Sequence, residues 1–113
     1  ILWINKINWL QLSIPKKWVA RTVEIWQIKL GNMLMFSWPG EATTSLGFAI
    51  RDFALSEGFK EAWILGLTNG HRAYFTSPTE YEIGGYEACA SLYGKDGGIK
   101  IVNSHINGIK EWK

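Results

Sequence analysis

The sequence predicts an α/β fold in which a mixed sheet is flanked by helices. Short apolar segments with the alternation of strands occur along the chain, interleaved with longer segments whose apolar residues recur at helical spacing. Turn signals such as Gly31-Asn32 and Pro39-Gly40 separate these segments. A chain of 113 residues fits one small domain or a segment of a larger one, and two independent domains are excluded.

A β-hairpin is predicted first. Residues 22–29 alternate apolar and polar side chains, Gly31-Asn32 suits a two-residue turn, and residues 33–38 form the next apolar segment. Residues 1–18, rich in Trp and Lys, are interpreted as a strand or packed arm, or alternatively as a segment that contacts a lipid interface.

A helix followed by a strand is predicted next. Thr43 or Thr44 is a candidate N-cap, and Gly58 supplies the C-terminal stop. The all-apolar residues 62–67 are typical of a strand covered on both faces. The predicted apolar stripe of the helix consists of Leu46, Ala49, Ile50, Phe53 and Ala54.

Residues 68–77 form a polar loop after that strand, at the sheet edge where α/β proteins tend to bind ligands. Pro78 suits the first position of a helix that Gly84-Gly85 interrupts, and residues 86–93 continue at helical spacing. The last segment predicts an amphipathic helix with an apolar stripe of Ile99, Val102, Ile106 and Ile109.

Composition excludes several classes of protein. The formal net charge of +2 and the absence of a basic stripe argue against nucleic-acid binding. No apolar run approaches the roughly 18 residues of a membrane span. The single cysteine, Cys89, has apolar neighbours and is predicted to be an inert buried thiol. Seven Trp indicate large buried areas, at an interface if not inside the chain.

Several residues could carry chemistry. Glu41 follows a strand and precedes a helix, where its carboxylate either complements the helix dipole or serves a site at the sheet edge. The polar loop places Asn69, His71, Arg72 and Tyr74 close together in sequence, although each residue type is also common on a solvated loop.

An ordered series of motifs runs through the middle of the chain. The motifs are Ser37-Trp38-Pro39-Gly40-Glu41-Ala42-Thr43-Thr44, Gly66-Leu67-Thr68-Asn69, Tyr74-Phe75-Thr76, Glu80-Tyr81-Glu82 and Tyr86-Glu87-Ala88-Cys89-Ala90-Ser91-Leu92-Tyr93-Gly94. In order and spacing, from about residue 23 to residue 94, this series resembles the neutral/alkaline non-lysosomal ceramidase family.

The resemblance implies a zinc amidase that hydrolyses the N-acyl bond of ceramide, or of a related N-acyl lipid, to sphingosine and a fatty acid. By this resemblance Glu41 and Tyr74 are zinc ligands, and Tyr86 hydrogen-bonds the carbonyl oxygen as it gains negative charge. Asn69 and His71 are expected to contact the substrate. Zinc would polarise the amide carbonyl and activate a water molecule.

Departures from the family pattern bear on this expectation. The two zinc histidines of the family come from an upstream region that these residues do not match, and His71 does not replace either of them. Gly84-Gly85 stands where the family usually has glutamine-arginine. Because the chain starts at Ile1 with no signal pattern and lacks the family's C-terminal immunoglobulin-like domain, residues 1–113 are expected to be the C-terminal portion of a catalytic domain.

The leading hypothesis is therefore a ceramidase-like amidohydrolase whose site is completed by another polypeptide or by an upstream segment that carries the two histidines. The alternatives are a non-catalytic remnant of the same fold that binds lipid or a partner, and an unrelated α/β domain. Contact with a membrane surface is a further expectation for a protein that acts on a lipid. The resemblance implies a secreted, periplasmic or cell-surface location, for which the sequence carries no signal of its own.

Overall fold

The computed structural model describes residues 19–112 and shows the predicted mixture of sheet and flanking helices. The residues of the predicted N-terminal arm, 1–18, lie outside the described part. The elements are β1 (Gln27–Leu30), β2 (Met33–Ser37), β3 (Glu41–Ala42), α1 (Thr44–Ser56), β4 (Glu61–Leu65), β5 (Tyr74–Phe75), α2 (Pro78–Ile83), α3 (Tyr86–Cys89) and α4 (Gly97–Glu111).

The larger sheet has the strand order β1-β2-β4, with β1 antiparallel and β4 parallel to the central strand. The predicted hairpin is confirmed. Its turn places Gly31 at φ +59°, a left-handed conformation that glycine adopts without a steric cost. The first strand begins at Gln27, later than the alternating pattern from residue 22 predicts.

The helix after β3 is confirmed, and its buried residues Leu46, Ile50 and Ala54 face the core. The prediction that Ala49 belongs to the buried stripe is wrong, because this side of the helix points to solvent. Thr43 occupies the N-cap position, but its side chain makes no capping hydrogen bond and is engaged elsewhere.

Residues 19–112 cover only one face of the strand after this helix, contrary to the prediction that both faces are covered. Within residues 19–112, β4 is an edge strand that pairs with β2. Ala62 points into the core, whereas the neighbouring Trp63 is 52% exposed on the opposite face. The apolar sequence of this strand therefore comes from one core face and one apolar outer face.

The region after the glycine pair differs from prediction in two ways. The helix that starts at Tyr86 ends at Cys89 and does not continue to Tyr93. Cys89 is exposed, so the prediction of a buried thiol is wrong. The physical reason is that a single helical turn buries only Ala88 and leaves Cys89 on its outer side.

The core lies between the larger sheet and the helices α1 and α4. The predicted C-terminal amphipathic helix is confirmed, with Ile101, Val102 and Ile109 buried. No helix in residues 19–112 combines the length and apolarity needed to cross a membrane. The buried residues of the core cluster are Leu34, Phe36, Trp38, Leu46, Ile50, Ala54, Ala62, Phe75, Ile101, Val102 and Ile109.

Candidate functional site

A two-stranded parallel sheet brings Glu41 beside Tyr74. The strands β3 and β5 are only two residues long, and their register pairs Glu41 with Tyr74 and Ala42 with Phe75. Backbone hydrogen bonds from Glu41 N to Ala73 O (2.9 Å) and from Thr43 N to Phe75 O (3.0 Å) fix this register. Two residues separated by 33 positions in the sequence therefore project their side chains from neighbouring backbone positions.

Gly40 makes this approach possible. A Cβ at this position would overlap the carbonyl oxygen of Ala73 and lie 2.9 Å from the Phe75 ring. The backbone of this segment is also held by the loop after β4, because Leu67 N donates to Gly40 O (2.9 Å) and Arg72 N donates to Pro39 O (2.7 Å). At the Pro-Gly-Glu sequence two backbone segments thus approach each other closely, and this approach positions the Glu41 side chain.

The Glu41 carboxylate raises the pKa of the neighbouring Tyr74 hydroxyl. Hydrogen bonding to Glu41 is the largest cause of the rise from 10.0 to about 12, followed by burial and by the negative charge of Glu41. Tyr86 adds smaller contributions in the same direction. The neutral phenol is therefore the favoured form of Tyr74 beside the Glu41 carboxylate.

Tyr86 completes the group that the sequence singled out. Its ring packs edge-on against the ring of Tyr74, with centroids 5.3 Å apart and an interplanar angle of 76°. Its side chain is 58% exposed, so its hydroxyl is accessible to a ligand. The structure therefore brings Glu41, Tyr74 and Tyr86 together.

The link before Tyr86 has a backbone that only glycine adopts readily. Gly84 has φ 87° and ψ −166°, and Gly85 has φ 111° and ψ −174°. These values lie in a region that is essentially restricted to glycine, because a Cβ would clash with the adjacent backbone. Gly84-Gly85, the pair that departs from the family pattern, therefore determines the direction in which the backbone reaches Tyr86.

A cleft of about 460 Å³ opens next to Glu41 and Tyr74. Glu80 lies in its wall and forms a capping box with Ser77 at the start of α2. The same carboxylate oxygen also accepts hydrogen bonds from Thr43 Oγ1 (2.6 Å) and Ser45 Oγ (3.0 Å). Although burial raises the pKa of Glu80, these hydrogen bonds outweigh it and lower the pKa below its ordinary value.

The other two predicted site residues lie elsewhere. Asn69 and His71 are exposed in the loop between β4 and β5, and neither lines the cleft. His71 Nδ1 accepts a hydrogen bond from Ala73 N (3.3 Å), which makes it part of the loop's own structure. Asn69 has φ +60°, a left-handed conformation that asparagine tolerates better than most residues. Their expected contact with substrate stays a prediction.

Sequence analysis missed three residues near the site. Glu80 could have been found, because Ser77 and Glu80 have the spacing of a capping box. Thr76 lines the cleft and is 1% exposed, and its hydroxyl oxygen has no hydrogen-bond partner among residues 19–112. His105 is fully buried in the core beside β2, where its Nε2 donates to Ser37 O (2.9 Å). Nothing local in the sequence signals the last two.

The donor set fits part of a metal site. A carboxylate oxygen and a phenol oxygen held together are hard donors that a zinc ion accepts, and a catalytic zinc usually has three protein ligands. Residues 19–112 contain no cluster of three or more His, Cys, Asp or Glu side chains that could hold a metal ion. Glu41 and Tyr74 thus fit two positions of such a site, and further ligands have to come from outside the described residues.

Comparison with known proteins assigns the family. A family model described as neutral/alkaline non-lysosomal ceramidase, N-terminal, matches residues 6–99. The chain belongs to this family. Neutral ceramidase 2 of Arabidopsis thaliana is 33% identical over 95 residues, which are 75% of this chain and 12% of that protein. The neutral ceramidase of Drosophila melanogaster is 30% identical over 88 residues, which are 73% of this chain and 12% of that protein.

Solved ceramidase structures share the fold. The neutral ceramidase from Pseudomonas aeruginosa superposes with a TM-score of 0.66 at 20% identity, over 75% of this chain and 14% of that one. A structure described as "Ceramidase complexed with C2" gives a TM-score of 0.67 at 20% identity with the same coverage. The chain thus spans about an eighth of the length of the ceramidases it matches.

Proposed function

We propose that this chain is part of a zinc-dependent amidohydrolase of the ceramidase type, which cleaves the N-acyl amide bond of ceramide or a related N-acyl lipid. The observation that carries the proposal is the β3–β5 pairing, which joins the Glu41 carboxylate to the Tyr74 phenol with Tyr86 beside them. Family membership supports the substrate class.

In this proposal Glu41 and Tyr74 are two of the zinc ligands. A zinc ion supplies Lewis acidity to the amide carbonyl and lowers the pKa of a water molecule. The β3–β5 register places the two side chains at paired positions of neighbouring strands, where one zinc ion would be able to meet both donor oxygens. The remaining ligands, the two histidines implied by the resemblance, come from another polypeptide or from sequence outside residues 1–113.

Tyr86 acts on the carbonyl oxygen. During hydrolysis the oxygen of water bonds to the acyl carbon, the C–N bond breaks, and a proton reaches the departing nitrogen. The carbonyl oxygen gains negative charge on the way, and a phenol hydroxyl that donates to it lowers the barrier. Edge-on packing against Tyr74 restricts the Tyr86 ring, so less reorganisation is needed when the charge develops.

The test is to assemble this chain with the rest of a ceramidase catalytic domain and to measure bound zinc and hydrolysis of a fluorogenic ceramide analogue. Glu41→Gln and Tyr74→Phe are expected to lower both zinc content and activity. Tyr86→Phe is expected to keep the zinc and to lower kcat by about 10²–10³-fold, the usual effect of removing an oxyanion donor. Tyr81→Phe, outside this group, serves as the matched control.

The opposite outcome has a clear meaning. An assembled complex without zinc and without hydrolysis would refute the enzyme proposal and favour the non-catalytic remnant. The glycine pair before Tyr86 is the observation that bears on this alternative, because it replaces the usual residues at a position next to the reacting group. If Glu41→Gln and Tyr74→Phe leave zinc content and activity unchanged, the assignment of these two residues as zinc ligands would be wrong.

A further inference from the structure

One face of the larger sheet is mostly apolar and partly open to solvent within residues 19–112, although Glu61, the partner of Met33, also lies on it. The register places Ile28 beside Met35 and Met35 beside Trp63, so these side chains form a row across all three strands on one face. Leu30 pairs with Met33 on the same face, and Trp26 shares it by alternation along the chain. We call this the outer sheet face, defined by Trp26, Ile28, Leu30, Met33, Met35 and Trp63.

The two faces of the sheet differ in burial. On the inner face Leu34 and Phe36 are completely buried against the helices. On the outer sheet face Ile28 is 51% and Leu30 64% exposed, although strands that face water on one side usually carry polar residues there. A contiguous apolar patch of this kind is typical of an interaction surface.

The two indoles of the outer sheet face are already positioned. Trp26 Nε1 donates to Glu24 Oε1 and Trp63 Nε1 donates to Glu61 Oε2, each at 3.1 Å and each to a carboxylate two residues earlier. The indole N–H groups are therefore satisfied, and the rings present apolar surface to a partner. Ordered aromatic side chains lose little conformational entropy on binding and often contribute most of an interface's affinity.

We propose that the outer sheet face is the docking surface for the remaining part of the ceramidase catalytic domain, the polypeptide that completes the site. The inference rests on the proposed function for the identity of this partner. One finding supports it: the chain covers 12% of the length of its relatives, so most of the catalytic domain of those proteins lies outside the aligned segment. The proposed function adds that a zinc ion needs ligands beyond Glu41 and Tyr74. Permanent interfaces are typically apolar, as the exposed side chains of this face are.

The position of the face links docking to the site. The central strand β2 carries Met33 and Met35 on the outer face and runs directly through Trp38 and Gly40 into Glu41. A partner seated on this strand is therefore only a few residues from the ligand it has to complement. The same stretch of backbone would therefore contact the partner through β2 and carry the ligand Glu41 that the partner complements.

The charges of the face favour a protein over the other occupants. Glu24 and Glu61 flank the two indoles, and anionic lipid headgroups would be repelled by these carboxylates. A second copy of this chain would bring the same carboxylates to a shared interface. A protein partner with an apolar helix or sheet layer would cover the apolar side chains, and basic residues at the border of that layer would pair with the two carboxylates.

The experiment uses the full 113-residue chain and a defined probe, neutral ceramidase 2 of Arabidopsis thaliana from which the segment aligned with this chain has been deleted. The two polypeptides are co-expressed with a tag on one of them, and association is measured in EDTA by sedimentation and titration. Ile28→Glu and Trp63→Glu are each expected to raise the dissociation constant at least about tenfold. Leu92→Glu, a charge placed on an exposed apolar residue outside the face, is expected to change it less than about twofold.

The outcomes separate docking from function. Failure of the unmodified chain to associate, or association that survives both outer-face variants while their circular dichroism is unchanged, would overturn the docking inference. Binding to phosphatidylcholine or phosphatidylserine vesicles, or self-association, that is lost in Trp63→Glu would also overturn it. Association without zinc or hydrolysis would leave the docking inference intact and refute the proposed function instead.

Discussion

The hydrogen bond between Glu41 and Tyr74 can be tested in this chain alone by titrating the Tyr74 hydroxyl. The pKa of Tyr74 is raised from 10.0 to about 12, and hydrogen bonding to Glu41 is the largest cause. Glu41→Gln keeps the size of the side chain and removes its negative charge, so the pKa of Tyr74 is expected to fall toward 10. The contributions of burial and Tyr86 keep it slightly above that value.

The difference is large at a single pH. At pH 11 a phenol with a pKa of 12 is about 10% ionised, and one with a pKa of 10 is about 90% ionised. Carbon-13 NMR of the tyrosine Cζ atoms resolves this change, and the missing resonance in Tyr74→Phe assigns the signal among the four tyrosines.

The control variant is Glu87→Gln, which removes another carboxylate of the cleft that is not among the causes of the Tyr74 shift. It is expected to leave the Tyr74 titration unchanged. A Tyr74 resonance that titrates near pH 10 in the unmodified chain would refute the pairing. The same conclusion would follow if Glu41→Gln had no effect on a raised pKa.

Four further predictions concern stability, each measured by urea unfolding. Gly47→Ala, on α1 with only an ordinary contact to Ile64 at 3.7 Å, is expected to raise the free energy of unfolding by about 0.5–1 kcal/mol. Gly85→Ala, where space is open but φ is 111°, is expected to lower it by about 1–3 kcal/mol, and a neutral result would contradict the assigned backbone. Burial lowers the pKa of His105, and this effect outweighs the hydrogen bond to the Ser37 carbonyl, which raises it. The unfolded chain therefore binds a proton at this histidine more readily than the folded chain does. The free energy of unfolding should fall as the pH drops below about 6.5. The slope is at most about 1.4 kcal/mol per pH unit, and His105→Gln should remove this component. Glu80→Ala is expected to cost about 1–2 kcal/mol, because its carboxylate accepts hydrogen bonds from both α1 and α2, and an unchanged midpoint would contradict this role.

Local signals in the sequence account for most of the elements. The Gly31-Asn32 turn, the helical stripe ending before Gly58 and the Pro78 helix start are all confirmed, because each depends on interactions among neighbouring residues. Predictions about burial were less successful. Cys89 and Ala49 are apolar or small residues that face solvent, since the rotation of a helix about its axis is set by what it packs against.

The candidate site also depends partly on motifs in the sequence and partly on tertiary contacts. The two-residue strands β3 and β5 are too short for an alternation pattern to reveal, and their pairing depends on the close approach that Gly40 permits. The motifs of the ceramidase family nevertheless singled out Glu41, Tyr74 and Tyr86, which the structure brings together. Their roles as ligands and oxyanion donor remain proposals.

The sequence by itself determined the mixed α/β class, the order of the main elements and the family, because turn chemistry, periodicity and ordered motifs are properties of neighbouring or collinear residues. Tertiary structure alone decided that β4 lies at the edge of the sheet among residues 19–112 and that its Trp63 joins Ile28 and Met35 on one face. It also decided that Glu41 and Tyr74 occupy paired positions of β3 and β5. These contacts join residues more than 20 positions apart, and their formation depends on how the whole backbone closes around the core.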